Sequence, residues 1–235
     1  MDRHSQATAA LIIPALDEEA ALGRTLEQVP RALFREIIVA DNGSRDRTAE
    51  IAARAGVRVV SEPERGYGAA CLRALAALPP GIDIVVFMDA DSSDDPSEAP
   101  LLLEPIQSGR ADLVLGSRTL GHAEKGSLQA HQVFGNDLAT WLVRRLYGHA
   151  YSDLGPFRAI RLDSLQRLGM RDRNYGWTIE MQIKAVQQGL RILEVPVTYR
   201  RRVGVSKVSG NFKARVMAGV KILWTVGRLS WTINP

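Results

Sequence analysis

Short apolar runs alternate with segments of helical period along the first half of the chain. Leu11–Ile13, Ile37–Ala40, Val57–Val60, Ile84–Met88 and Leu113–Leu115 are rich in Val and Ile and bounded by Gly, Pro or Asp, so they read as buried strands. Helices are predicted between them, over about 18–29, 46–55, 67–78 and 96–108. Asp46 and Pro96 suit helix starts, and Gly56 and Gly109 suit helix ends. Strand–helix alternation predicts an α/β fold, a mostly parallel twisted sheet flanked by helices, with ligands beyond the carboxyl ends of the strands.

The second half is less regular. Leu128, Phe134, Leu138, Trp141, Leu142 and Leu146 predict a helix over 127–147, and Ile179, Ile183 and Val186 predict another. Leu190–Tyr199 reads as a strand in which Pro196 marks an edge or a bulge. A last helix is predicted from about 211 to 230. On it Phe212, Val216, Val220, Leu223 and Val226 share a face expected to pack inward. Lys213, Met217, Lys221, Trp224, Arg228 and Trp231 share another, suited to a membrane boundary. No repeat or linker divides the sequence. It reads as one domain over 1–235, with a first half at 8–118, a second at 119–209 and the amphipathic helix at 210–233.

Composition narrows the classes. A chain of 235 residues, 46 % apolar and 24 % charged, can bury a full core. The net charge of +4 and a pI near 9.4 fit phosphorylated ligands or an anionic surface without choosing between them. Basic residues interleave with few aromatics and match no recognition motif, so nucleic acid is not expected as a partner. The single cysteine, Cys71, lies in an apolar run and excludes an internal disulfide or a cysteine zinc site. His122, His131 and His149 share no ligand spacing. The N-terminus lacks a signal-peptide plan, and no uncharged apolar stretch is long enough to span a bilayer. A cytoplasmic protein is expected, with peripheral contact at the cytoplasmic membrane face.

The sharpest chemistry lies in the run from Val85 to Pro96, where a buried strand delivers Asp89 and Asp91 at its carboxyl end. Residues two apart in extended chain share a face, so the two carboxylates can converge. They then repel unless a cation or proton lies between them. Hard oxygen ligands suit Mg²⁺ or Mn²⁺, which keep phosphates as further ligands. The alternative is a solvated acidic loop that caps the next helix, as Asp94 and Asp95 could.

This run resembles the D-x-D signature of the family 2 glycosyltransferases with the GT-A fold, and further stations follow in the family's order. Pro14-Ala15-Leu16-Asp17-Glu18 resembles P-x-x-N-E, with Asp17 in place of Asn. Asp41-Asn42-Gly43-Ser44-Arg45-Asp46-Arg47-Thr48 resembles D-D-G-S-x-D-x-T, with Asn42 at the second Asp. Gly66-Tyr67-Gly68 resembles a Gly-rich helix start, and Gly116-Ser117-Arg118 a G-S-R station. Asp153-Leu154-Gly155-Pro156-Phe157-Arg158 resembles D-x-x-G-F-R with Pro156 inserted. Trp177–Glu180, Glu194-Val195-Pro196 and Gly204-Val205-Ser206-Lys207 complete the series, which covers roughly residues 10–210. Polyprenyl-phosphate (dolichyl-phosphate) mannosyl- and glucosyltransferases are the most similar subgroup.

The resemblance implies a metal-dependent, inverting transfer of a hexose from a UDP- or GDP-sugar to a polyprenyl phosphate. It implies Mg²⁺ or Mn²⁺ at Asp89 and Asp91, and a nucleoside held by Pro14, Glu18 and Asp41. Gly66 and Gly68 would let backbone approach the donor, and Arg118, Arg200, Arg202, Ser206 and Lys207 would face its phosphates, with Ser206-Lys207 closing over them. Glu180 matches the family's base carboxylate, and Asp153 is the alternative. Lipid-phosphate members carry a basic residue before the helix after G-S-R, where this chain has His131 and Val133. A soluble acceptor, such as a phosphorylated small molecule or glycan, is the second reading. A nucleotidyltransferase or nucleotide-sugar-binding module is a third. It is disfavoured because the segment after the first strand is acidic and glycine-free, where such enzymes carry a Gly-rich basic loop.

Overall fold

The computed structural model describes residues 7–204 and 212–230, with backbone alone for 212–218. Seven strands form one sheet: β1 (Ala9–Ala15), β2 (Phe34–Asp41), β3 (Arg58–Ser61), β4 (Ile84–Phe87), β5 (Leu113–Ala123), β6 (Arg158–Arg161) and β7 (Ile192–Tyr199). Their order across the sheet is β3-β2-β1-β4-β6-β5-β7. β1 pairs in parallel with β2 and β4, β2 with β3, and β5 with β7, whereas β6 runs antiparallel to both its neighbours. This is the mostly parallel architecture of the GT-A fold. Pro196 sits in β7, the outermost strand, where a missing N–H leaves no ladder bond unmade.

The helices are α1 (Leu22–Gln28), α2 (Thr48–Arg54), α3 (Tyr67–Ala76), α4 (Ala99–Gln107), α5 (Ala130–Tyr147), α6 (Leu162–Leu168), α7 (Trp177–Gln187) and α8 (Phe212–Ser230). Alternation sends successive strand residues to opposite faces. Ile12, Ile38, Val85 and Phe87 pack with Cys71 of α3 and with Trp177 and Met181 of α7. Leu11, Ile13, Val39 and Val86 pack with α1, α2 and α4 through Leu22, Leu26, Ala52, Leu102 and Leu103. Asp46 accepts from the Thr48 amide at the start of α2 (2.9 Å), and Asp95 caps the turn at Ser97. Gly56 and Gly109 follow α2 and α4 with φ of +69° and +72°.

The structure departs from the expected elements in three places. β6 and α6 were not foreseen: Arg-Ala-Ile-Arg has too few apolar residues to announce a buried strand. β5 continues to Ala123 rather than ending at Leu115, with a register shift against β7 between Ser117 and His122. Of the α8 face expected to pack inward, Val226 is buried, but Val220 is 57 % and Leu223 44 % exposed. Thr225 and Leu229 are buried beside Val226, and Lys221 turns toward the buried carboxylate of Asp172, 3.0 Å away. A buried charge without a partner is costly, so the lysine's partner sets the rotation of the helix. Phe212, Lys213, Val216, Met217 and Trp231 lie outside the described side chains.

Candidate active site

A cleft of about 250 Å³ opens beyond the carboxyl ends of β1, β2 and β4. Its floor is Pro14, Ala15 and Leu16, and one wall is Asn42, Arg65, Gly66, Tyr67 and Ala70. Asp89, Ala90 and Asp91 stand at the end of β4, with Glu18 and Arg202 nearby. Asn174 and Tyr175 complete the lining, next to Gly66. Six sequence-derived site residues therefore line it: Pro14, Glu18, Gly66, Asp89, Asp91 and Arg202. Asn42, Arg65, Tyr67, Asn174 and Tyr175 were missed, because no pattern in the chain connects the loop before α7 to the start of α3.

The acidic end of β4 is electrostatically loaded. Burial, then the charge of Asp91, pushes the Asp89 carboxyl up to about 7. Burial and the charges of Asp89 and Asp91 raise Asp94 as well. Asp94 accepts from the Asp89 amide (3.2 Å) and leaves its other oxygen buried without a partner. Asp91 accepts from the Ser93 amide (3.0 Å) and faces a guanidinium nitrogen of Arg202 at 3.3 Å, while Arg202 also donates to Glu18 at 2.9 Å. Buried carboxylates gathered at one strand end, two of them with raised proton affinity, fit a divalent cation. Among the described residues no three or more such side chains form a metal cage. Asp89 and Asp91 would thus be partial ligands, leaving positions for phosphate oxygens.

The departure at Asp17 has a local cause. Its φ is +51°, a left-handed conformation that Asn and Asp tolerate best. There it accepts from the Arg45 amide (2.7 Å) and donates its own amide to Ser44 (2.9 Å), clipping the first loop to the second.

Other candidates are committed elsewhere. Arg118 and Asp153 form a two-pronged ion pair with both contacts at 2.7 Å, and Arg118 stacks over Tyr199. Burial works against the charge on Arg118, but Asp153's hydrogen bond and charge outweigh it. Arg200 bonds Gln28 and Asp95, outside the cleft. Asp41 accepts from the Ser44 amide at 3.2 Å and does not line the cleft. Ser206 and Lys207 lie outside the described residues, as does most of the expected closing loop.

Glu180 is fully buried and points away from the cleft. It accepts from the Arg171 and Asp172 amides (3.1 and 2.7 Å) and pairs with Lys184 at 2.7 Å. Such a carboxylate organises the loop before α7. Glu180→Ala should therefore cost about 3–5 kcal/mol of stability, measured by chemical denaturation. An inactive variant of undiminished stability would return Glu180 to the chemistry.

Gly66 and Gly68 serve the protein's own chain. A Cβ at either position would overlap a backbone carbonyl, of Arg173 or Asp172 respectively. The Arg173 carbonyl also accepts from the Ala69 amide at 2.8 Å, so it occupies the start of α3 where the donor was expected to approach. The wall at 171–176 is thereby pressed directly onto α3.

A mostly parallel sheet with one inverted strand, and paired carboxylates closing a cleft at its strand ends, defines a GT-A-type sugar-transfer scaffold. The profile described as Glycosyl transferase family 2 matches residues 10–169, and the chain belongs to that family: it is a glycosyltransferase. A glycosyltransferase of Mycobacterium tuberculosis is 37 % identical over 210 residues, covering 88 % of this chain and 93 % of that one. An undecaprenyl-phosphate mannosyltransferase of Micrococcus luteus is 31 % identical, covering 89 % and 90 %. Among solved structures, glucosyl-3-phosphoglycerate synthase from M. tuberculosis, with Mn²⁺, UDP and glucosyl-3-phosphoglycerate, superposes with a TM-score of 0.75 at 25 % identity. That match covers 94 % of this chain and 78 % of the other.

Proposed function

We propose that the chain transfers a hexose, with inversion, from a UDP- or GDP-sugar to a polyprenyl phosphate at the cytoplasmic face of a membrane. The nucleoside lies along Pro14–Leu16 and the wall at 65–67, and Arg202 faces the diphosphate. Asp89 and Asp91 would hold Mg²⁺ or Mn²⁺, which when bound would offset charge on the departing diphosphate. The acceptor's phosphate oxygen forms the new bond to C1 as the bond from C1 to the donor diphosphate breaks, and the nucleoside diphosphate leaves with the electron pair. An ionised phosphate needs no general base, in keeping with Glu180 and Asp153 both being tied into ion pairs.

The observation that carries the lipid acceptor is a surface on two helices. α5 exposes Phe134 (69 %) and Trp141 (58 %), and α8, joined to α5 by the Tyr147 hydroxyl on the Val226 carbonyl, exposes Val220, Leu223 and Trp224. Arg228 lies over the Trp224 ring, and Arg144 and Arg145 close α5. Large apolar side chains interleaved with cations suit an anionic bilayer boundary. Among the described residues no helix is long and apolar enough to cross a membrane. α8 also meets the cleft's wall, through Lys221 on Asp172.

Wild type should float with anionic liposomes at low salt and release at high salt, since each cation near the surface adds about 1 kcal/mol. A Phe134→Glu, Trp141→Glu variant should stay in the lipid-free fraction. Equal recovery of both proteins there would remove the lipid reading. A soluble phosphorylated acceptor is the second reading, favoured by the likeness to glucosyl-3-phosphoglycerate synthase. Transfer from UDP-glucose or GDP-mannose to 3-phosphoglycerate, with none to undecaprenyl phosphate in vesicles, would select it.

A further inference from the structure

One side chain makes three hydrogen bonds to the segment at 62–66. Asn42 is buried at the end of β2, its own amide bonded to the Ala15 carbonyl at 2.9 Å. Its side-chain N–H groups donate to the carbonyls of Glu62 (3.0 Å) and Glu64 (2.7 Å). Its side-chain oxygen accepts from the Gly66 amide at 2.7 Å. The partners fix the orientation: two can only accept and one can only donate. Asparagine satisfies all three, whereas an ionised aspartate of the same shape offers no donor and sets its charge against two carbonyl oxygens.

The effect spreads past this segment. Arg65 and Gly66 line the cleft directly. Glu64 pairs with Arg173 at 2.6 Å, and the Arg173 carbonyl is pressed against Gly66. Arg173 adjoins Asn174 and Tyr175, which also line the cleft. Three hydrogen bonds from one amide thus help to hold a segment that carries two lining residues and abuts the segment carrying two more.

We infer that Asn42 is a positioning residue for the nucleotide-sugar donor, acting by holding the 62–66 segment, and through it the adjoining 173–175 segment, in the arrangement the donor requires. The inference rests on the donor reading of the cleft. It places Asn42 in ground-state binding, so its loss should weaken donor affinity more than turnover.

The test is Asn42→Asp. With two donors lost and repulsion added, the donor KM should rise about tenfold and kcat should stay within about twofold. Asp41, Glu62, Glu64, Arg65 and Arg173 surround the position, and the first three oppose ionisation of the new carboxyl. Protonation restores one donor, so the KM defect relative to wild type should shrink as pH falls from about 8 to about 6. Asn42→Thr, which is neutral, should raise KM a few-fold with a pH profile parallel to wild type, and it carries the test should the Asp variant fail to fold. Unchanged donor KM in a folded variant, or a fall in kcat without a rise in KM, overturns the inference. Should wild type bind neither UDP nor GDP, the donor reading fails on its own. Hydrogen exchange of the ligand-free protein then decides the role of Asn42: loss of protection at 62–66 and 173–175 in the variant supports it, and unchanged protection overturns it.

Discussion

Asparagine at position 91 is expected to lower transfer by roughly 10³-fold while leaving the unfolding midpoint close to that of wild type. The substitution is chosen over alanine because Asp91 also accepts from the Ser93 amide and hydroxyl, contacts that an amide oxygen can keep. What disappears is one of the two carboxylate charges at the end of β4 and, with it, the ion pair to Arg202. Mn²⁺ titrated into the protein with UDP present should bind Asp91→Asn far more weakly than wild type. Because the charge of Asp91 is one of the causes that lift Asp89, the remaining carboxyl should also titrate at lower pH. A variant that retains Mn²⁺ affinity and turnover would remove the metal from the end of β4.

Gly68→Ala should be among the most disruptive single-methyl changes at the described glycines. The new Cβ meets a backbone carbonyl, not the end of a flexible side chain, so either α3 or the 171–176 loop must move. Overpacking against backbone should cost about 3 kcal/mol, or about 10 °C in Tm for a chain of this size. Nucleotide affinity should fall with it, since Tyr67 and Asn174–Tyr175 line the cleft from the two displaced segments. Gly135→Ala in α5 is the control: nothing lies within contact of the added methyl, and helix propensity favours alanine. Thermal melts of both variants decide the matter. A Gly68→Ala protein as stable as Gly135→Ala would show that the loop yields freely.

How far the sequence could be read follows from what kind of force fixes each part. β1, β2 and β4 announce themselves because strands buried on both faces need unbroken apolar runs. The Asp89–Asp91 pair is legible for a similar reason, since its position at a strand end and its period-two spacing are both local. Glu180 was found as a residue but not as a direction. Its carboxylate turns to the amides of 171 and 172, a choice made by tertiary geometry that helical spacing does not encode. α8 gave the same difficulty, because periodicity supplies candidate faces and the buried Asp172 selected among them. Gly-x-Gly was visible at 66–68, yet the object approaching it, a carbonyl more than a hundred residues on, was not. β6 was the hardest element. Arg158 is buried there and bonds to the carbonyls of Thr178, Leu154 and Gly155, with burial lowering its pKa. A strand holding an interior arginine looks polar until those carbonyls are known.

The placement of β6 bears on how the chain is made. During synthesis β1 to β4 emerge first and can pair among themselves, but the outer edge of β4 has no neighbour until Arg158–Arg161 arrives. That edge is Ile-Val-Val-Phe, a short uncharged run with open backbone N–H and C=O groups. Such a template invites pairing with another nascent chain. The interval between the ribosome's completion of β4 and its delivery of β6 is therefore the period in which this polypeptide most needs a chaperone. Chains truncated between them should collect in inclusion bodies, although they carry the complete acidic strand end.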